Sequence, residues 1–103
     1  MFLGIKKFSG IKNPDVVTKK VEAELLPQMK GYPGFIAYYA VKFENGDHGG
    51  VGIFETKANL ESAIEKTGTW LDKNLADNVP NAPQILKGEV LFNAAGKTMA
   101  RSA

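Results

Sequence analysis

Few residues of this chain have types and spacings that could do chemistry. The sequence contains no cysteine, which excludes disulfides, thiolate metal sites and thiol nucleophiles. The single histidine, His48, lies beside a predicted turn, where a solvated side chain is favoured over a titrating catalytic group. Spacing alone places no pair of carboxylates, no metal-ligand cluster and no nucleophile–base arrangement. Gly49, Gly50 and Gly52 lie in a predicted strand with no helix after them, which indicates a bulge or close backbone approach and not a phosphate loop.

The remaining candidates are one strand lysine and three aromatic residues. Lys6 and Lys7 are neighbours in a predicted strand, so one of them points towards a packed face, where its ammonium group can reach the rim. Tyr38 and Tyr39 point to opposite faces of their strand, so at most one of them lines a given pocket. Trp70 lies in the second predicted helix, where packing in the core or in a pocket wall is favoured over catalysis.

A predicted β-hairpin between residues 33 and 54 organises the chain. The side chains of its first strand alternate, which places one set on a single face: Phe35, Ala37, Tyr39, Val41 and Phe43. A turn is predicted at Asn45 and Gly46, because both residue types tolerate positive φ. The second strand is predicted from about His48 to Phe54, and Phe54 is interpreted as a core residue.

A strand and a helix are predicted before the hairpin. The strand runs from Phe2 to Phe8, where bulky residues alternate. The helix begins after Asn13 as its cap, and Pro27 is expected to kink its last turn or end it early.

A helix and a strand are predicted after the hairpin. Thr56 is the candidate cap of this helix, and Thr67 and Gly68 interrupt its apolar stripe. We therefore expect either one helix with a weak centre or two short helices that meet there. The last strand is predicted from Ile85 or Leu86 to Phe92.

The order β-α-β-β-α-β predicts an α+β, ferredoxin-like domain over residues 1–93. It has a four-stranded antiparallel sheet with both helices on one face, and residues 94–103 follow as a loose tail. The second face of the sheet should be polar in a monomer, yet apolar residues alternate onto both faces of the predicted strands. The simplest cover is a second copy of the chain, so we expect a homodimer with the two sheets face to face.

The composition limits the partners and the location of the protein. The 103 residues are 44% hydrophobic and 23% charged, which is ordinary for a globular domain, and the net charge of +2 neither requires nor excludes an anionic partner. Nucleic-acid binding is not expected, because the aromatic motif of RNA-binding ferredoxin-like sheets is absent. No apolar run approaches the ~20 residues of a membrane span, and the N-terminus lacks the features of a signal peptide. A cytoplasmic protein with no membrane partner is therefore expected.

Short pieces of the chain, between about Phe2 and Phe92, carry a family resemblance. They are Pro33-Gly34-Phe35, Tyr38-Tyr39, Phe54-Glu55, Ser62, Trp70 and Gly88-Glu89-Val90. In this order and spacing they resemble the antibiotic-biosynthesis-monooxygenase-like family of the dimeric α/β-barrel superfamily. Similar proteins include cofactor-independent monooxygenases that oxidise polycyclic phenols, haem-degrading enzymes, isomerases and members with no known activity.

The resemblance implies a dimeric α/β barrel and monooxygenase-like activity on a small aromatic or phenolic metabolite, without a cofactor. The implied ligand-binding residues are Trp70, Tyr38, Tyr39 and Phe54, with Lys6 as the cationic partner. Lys66 stands where the phenol-oxidising relatives have an asparagine, and haem degradation is not expected because His48 lies outside the second-helix region of the haem ligand. The alternative is a non-catalytic dimeric module that binds a small ligand or only a partner.

Overall fold

The computed structural model describes residues 1–96, and its elements follow the predicted β-α-β-β-α-β order. The first helical region consists of three consecutive segments, two α-helical and one π-helical. The elements are β1 (Phe2–Phe8), α1 (Pro14–Lys20), a π-helical segment (Val21–Leu25), α2 (Leu26–Lys30), β2 (Phe35–Lys42), β3 (His48–Phe54), α3 (Lys57–Asn74) and β4 (Gln84–Glu89).

The four strands form one antiparallel sheet in the order β2-β3-β1-β4. The helices cover one of its faces, and the core lies in between, where Phe54 of β3 and Leu60 of α3 are the largest fully buried side chains. Gly4 of β1 lets α3 approach closely, because a Cβ there would lie 2.9 Å from a methyl carbon of Leu60. The predicted ferredoxin-like fold is therefore confirmed.

A β-bulge near the start of β2 corrects the predicted alternation. The register shifts between Phe35 and Ala37, so Phe35 pairs with Phe54 and turns to the helix-covered face. The rings of Phe35 and Phe54 meet edge to face, with centroids 5.8 Å apart. The prediction that Phe35 shares a face with Tyr39 is therefore wrong.

The first helical region begins and continues differently from the prediction. Asn13 occupies the N-cap position in a left-handed conformation (φ 52°), but its backbone carbonyl, and not its side chain, accepts the N–H groups of Val16 and Val17. The chain stays helical through Pro27 to Lys30, and the irregularity is the π-helical segment before it. Because proline has no N–H to donate, the wider turn accommodates it without ending the helix.

The predictions for the second helix and for the last strand have different outcomes. α3 is one continuous helix, and the Thr56 hydroxyl caps it by accepting the backbone N–H of Asn59 at 3.0 Å, as predicted. β4 ends at Glu89, so the predicted extension to Phe92 is wrong. The ladder stops because β1 begins at Phe2, opposite Glu89, and leaves the exposed Phe92 without a partner strand.

Two other predictions concern the C-terminal tail and the location of the protein. Residues 94–96 have no regular secondary structure, and the rest of the predicted tail lies outside the described residues. No helix within residues 1–96 is both long enough and apolar enough to cross a membrane. The cytoplasmic location stays a prediction.

Candidate functional site

A cavity of about 760 Å³ separates the sheet from the helices, and we call it the central cavity. Its floor includes Gly4 of β1 and Gly50 and Gly52 of β3, which the strand register places on the helix-covered face. Its roof includes residues of α1, the π-helical segment and α3. Side chains pack closely over these glycines: Leu60 lies over Gly4, and the ring of Tyr38 lies over Gly50.

Lys6 extends from β1 into the central cavity. Its Nζ donates hydrogen bonds to the Thr67 hydroxyl at 2.8 Å and to the Ile64 carbonyl oxygen at 3.1 Å, both in α3. The Thr67 hydroxyl in turn donates to the same Ile64 carbonyl at 3.1 Å. Both acceptors are uncharged. Within the described residues, the amine is therefore positioned by two uncharged hydrogen-bond acceptors.

Burial changes the acidity of this amine. Removal of Nζ from water lowers the pKa of Lys6 from 10.5 to about 8, and the more distant carboxylate of Asp72 opposes part of that shift. A substantial neutral population is therefore present near neutral pH. Further charged or titratable residues border the cavity: Asp15, Glu22, Lys42 and His48.

Tyr38 lies across the floor of the central cavity. A Cβ on Gly50 would overlap the phenol ring of Tyr38, so the ring packs directly over that glycine. Because Gly50 pairs with Lys6 across the β1–β3 ladder, the hydroxyl end of Tyr38 reaches the strand next to Lys6. Burial raises the pKa of Tyr38, so its hydroxyl stays protonated near neutral pH and can donate a hydrogen bond.

The other predicted site residues take different positions. Phe54 lies in the wall of the central cavity and in the core. The backbone register places the side chain of Tyr39 opposite Val51, on the face away from the helices, where Tyr39 is 43% exposed. Trp70 is a core residue, 8% exposed, and it borders a separate groove between α2 and α3 together with Tyr32. The structure therefore brings Lys6, Tyr38 and Phe54 together and keeps Trp70 apart from them.

Three parts of the site were missed, wholly or in part, by the sequence analysis. Thr67 was interpreted as an interruption of the helix, but it is buried and holds the Lys6 amine. A signal was present: Thr67 continues the apolar stripe of Leu60 and Ala63 at helical spacing, where a polar residue faces the sheet. The glycines of β3 were correctly interpreted as sites of close approach, but their role in shaping a cavity was not predicted. His48 was interpreted as a solvated turn residue, whereas it is the half-buried first residue of β3 and borders the cavity.

The chemistry of the site is that of an organic ligand pocket. Residues 1–96 contain no group of three or more histidine, cysteine or carboxylate side chains that could hold a metal ion. The lining of the central cavity is mostly apolar, and it includes Lys6, Tyr38 and the charged or titratable residues named above. Such an arrangement can bind a flat apolar molecule that carries one acidic oxygen.

Comparison with solved structures assigns the fold. A protein of unknown function from Nitrosomonas europaea, NE2512, superposes with a TM-score of 0.70 at 21% identity, covering 94% of each chain. MhuD, in a form with two manganese protoporphyrin IX molecules per active site, gives 0.70 at 14% identity, covering 93% of this chain and all (100%) of MhuD. The Streptomyces coelicolor monooxygenase ActVA-Orf6, in complex with nanaomycin D, gives 0.66 at 13% identity, covering 93% and 92% of the two chains. The chain has the fold of the antibiotic biosynthesis monooxygenases.

The family resemblance stated from the sequence is thus confirmed at the level of the fold. No family model matches the sequence, and no curated protein matches it. Identities of 21% or less leave activity and ligand to be argued from the site itself.

Proposed function

We propose that this protein is a cofactor-independent, monooxygenase-like protein that acts on a small aromatic, phenolic metabolite. The observation that carries the proposal is the central cavity, whose mostly apolar lining includes both Lys6 and Tyr38. A monooxygenase of the same fold, ActVA-Orf6, has been solved in complex with the ligand nanaomycin D. Both facts favour a ligand that lies flat between sheet and helices.

Lys6 has the properties needed to hold a phenolate. Among the described residues, the Lys6 amine hydrogen-bonds to two uncharged acceptors, so an anionic oxygen of a ligand would stabilise its charged form in a partly dehydrated site. The protonated hydroxyl of Tyr38 would donate a further hydrogen bond to the ligand. These contacts favour the phenolate over the neutral phenol and make the aromatic ring a stronger reductant.

The proposed reaction needs no external reductant. An electron-rich phenolate passes electrons directly to oxygen, and a phenol and O₂ together give a quinone and one water. One oxygen atom becomes the new carbonyl, and the other leaves as water with the two hydrogens that the phenol loses. The central cavity contributes an apolar space that orients the ring and limits access of bulk water.

Oxygen uptake with hydroxylated tricyclic phenols tests this proposal. Wild-type protein should consume one O₂ for each quinone formed, and Lys6→Met should lower the rate about tenfold or more. Lys7→Met is the matched control, because Lys7 is the adjacent residue on the other face and pairs with Asp47 at 3.7 Å. Phenol binding without oxygen uptake would instead support the alternative, a non-catalytic dimeric ligand-binding module, and the absence of both would refute a phenol site.

We also propose that the protein is a homodimer through the sheet face that the helices leave uncovered. This open face is formed by Leu3, Ile5, Tyr39, Val41, Val51, Ile53 and Leu86. Leu86 is 55% exposed in the single chain, and an apolar face of this extent is a liability for a monomer. A second copy presents the same face and would cover both sheets at once.

Light scattering across a dilution series tests the dimer. The mass should lie near twice 11.2 kDa, and Val51→Lys at the centre of the open face should shift it to the monomer. Thr69→Lys, on the exposed side of α3, is the control and should leave the mass unchanged. A wild-type mass of 11.2 kDa at every concentration would refute the proposal.

A further inference from the structure

We propose that Lys6 is a carbonyl-reactive amine, which captures an aldehyde or an activated ketone in the central cavity as a reversible imine. The proposal is independent of the proposed oxygen chemistry, because it needs only the amine, the cavity and the ligand carbonyl. It assigns to this residue a covalent binding function for apolar carbonyl compounds.

The hydrogen-bond geometry of Lys6 leaves one direction for a ligand. A neutral amine has two N–H groups and one lone pair. Its two N–H groups match the two acceptors on α3, the hydroxyl of Thr67 and the carbonyl of Ile64. The lone pair then points in the remaining tetrahedral direction of the nitrogen. Lys6 itself lines the central cavity, whose volume is about 760 Å³. The structure therefore presents a positioned nucleophile beside a space large enough for its electrophile.

The population of the nucleophilic form supports this geometry. With a pKa of about 8, roughly one Lys6 amine in four is neutral at about pH 7.5. For an ordinary lysine at 10.5 the corresponding fraction is about one in a thousand. Buried lysines with lowered pKa values are the ones that proteins use for Schiff bases, because the free amine is the attacking species.

The capture step balances without any oxidant or reductant. The lone pair of Nζ forms a bond to the carbonyl carbon, and the C=O π electrons move to oxygen, which takes a proton. The nitrogen then loses its protons, the C–O bond breaks, and one water leaves as the C=N bond forms. The Thr67 hydroxyl, 2.8 Å from Nζ, can pass a proton between nitrogen and oxygen, since it both accepts and donates hydrogen bonds.

Other lysines of the described part of the chain provide internal comparisons. The Lys7 ammonium pairs with Asp47 at 3.7 Å and lies 5.2 Å from the ring centroid of Phe43. Lys87 pairs with Glu61 at 3.5 Å. Lys7 is the best internal control because it differs from Lys6 by one position and by sheet face.

Reductive trapping with benzaldehyde tests the proposal. The full-length protein is incubated with benzaldehyde and sodium cyanoborohydride at about pH 7.5, and the benzylated lysines are mapped by mass spectrometry after cleavage with a protease that does not cut at lysine. Lys6 should be labelled at least about tenfold faster than Lys7. Lys6→Met should lose the fast label, whereas Lys7→Met should keep it.

The dependence of labelling on pH separates capture in the folded site from chance reaction. With cyanoborohydride in excess, so that capture by the free amine limits the rate, labelling at Lys6 should rise to a plateau with a midpoint near pH 8. The titratable groups that border the site, other than Lys6 itself, are Asp15, Glu22, Tyr38, Tyr39, Lys42 and His48, with Asp72 acting from α3. Unfolding in urea should abolish the preference for Lys6. Equal labelling of Lys6 and Lys7 in the folded wild type, or a preference that survives in urea, would overturn the proposal.

Discussion

Replacing Lys6 by methionine should stabilise the protein at neutral pH, although it removes two hydrogen bonds. The lowered pKa, from 10.5 to about 8, means that the folded state binds this proton less tightly than the unfolded state. At 1.36 kcal/mol per pKa unit, the charged amine costs about 3 kcal/mol of folding free energy at pH 7, as an upper value for a partly solvated group. The two lost hydrogen bonds together offset about 1–2 kcal/mol of the gain. A net stabilisation of roughly 1–2 kcal/mol is expected for Lys6→Met.

The pH dependence of the stability difference between wild type and Lys6→Met is the stricter test, because the contribution of the two hydrogen bonds largely cancels from it. Between the folded pKa of about 8 and the unfolded value of 10.5, the unfolded chain holds more protons, so wild-type stability rises with pH. From about pH 7 to about pH 9.5 the wild type should gain about 2 kcal/mol relative to Lys6→Met. The range stops below pH 10 because burial raises the pKa values of Tyr32 and Tyr38, which makes stability fall at higher pH.

Urea unfolding at several pH values, followed by circular dichroism, measures the difference directly. Lys7→Met is the control, and its free energy of unfolding should follow that of the wild type across the range. A parallel course of wild type and Lys6→Met between about pH 7 and 9.5 would show that Lys6 is solvated, and it would refute the argument for a buried amine. A Lys6→Met protein less stable than wild type at pH 7 would show that the hydrogen bonds outweigh the burial cost.

Three further substitutions test the packing around the site by urea unfolding. Gly50→Ala should destabilise the protein by about 1–3 kcal/mol, because its Cβ would overlap the ring of Tyr38, whereas Gly88→Ala meets open space and should change the free energy of unfolding by about 0.5 kcal/mol or less. Trp70→Ala should cost ~3–5 kcal/mol, because the indole is a core group; little loss of stability with loss of ligand binding would instead make Trp70 a pocket residue. Thr56→Ala removes the side-chain cap of α3 and should cost about 1 kcal/mol, and an unchanged free energy of unfolding would contradict the capping role.

The order of the elements could be predicted because its signals are local. Alternation with period two marks the strands, and the polar residue Thr56 before an apolar stripe marks the start of α3. Each signal depends on residues a few positions apart, which is the distance over which a single sequence is informative.

Features that depend on distant residues could not be predicted in the same way. The bulge at the start of β2 turns Phe35 towards Phe54, a contact between strands that no property of residues 35–37 specifies. β4 ends at Glu89 because its partner β1 begins at Phe2, and not because the sequence after Glu89 becomes polar. Pro27 shows a related effect, since a π-helical segment absorbs the missing hydrogen bond within a helix that continues.

The candidate site also combines features with local signals and features that depend on distant residues. The sequence placed Lys6 and Lys7 on opposite faces of β1, and it could not say which of them lies beneath the helices. The strand register decides that Lys6 faces inward over a floor of glycines, whereas Leu3 and Ile5 face away from the helices. This orientation departs from the usual rule, because β1 turns one of its two lysines, Lys6, inward and its aliphatic residues outward.

The two faces of this sheet correspond to the two proposals made above. The open face is apolar, and the second copy of the chain that we propose would cover it. The inner face needs a molecule that fills the apolar cavity and either neutralises the Lys6 charge or reacts with its free amine. Experiments can test the open face and the central cavity separately, because Val51→Lys changes only the open face and Lys6→Met changes only the cavity. If Val51→Lys gives a folded monomer that still labels at Lys6, then the cavity belongs to the single chain and the dimer serves the sheet alone. If labelling disappears with the dimer, then the second copy is required to hold the sheet, and with it Lys6, in place beneath α3.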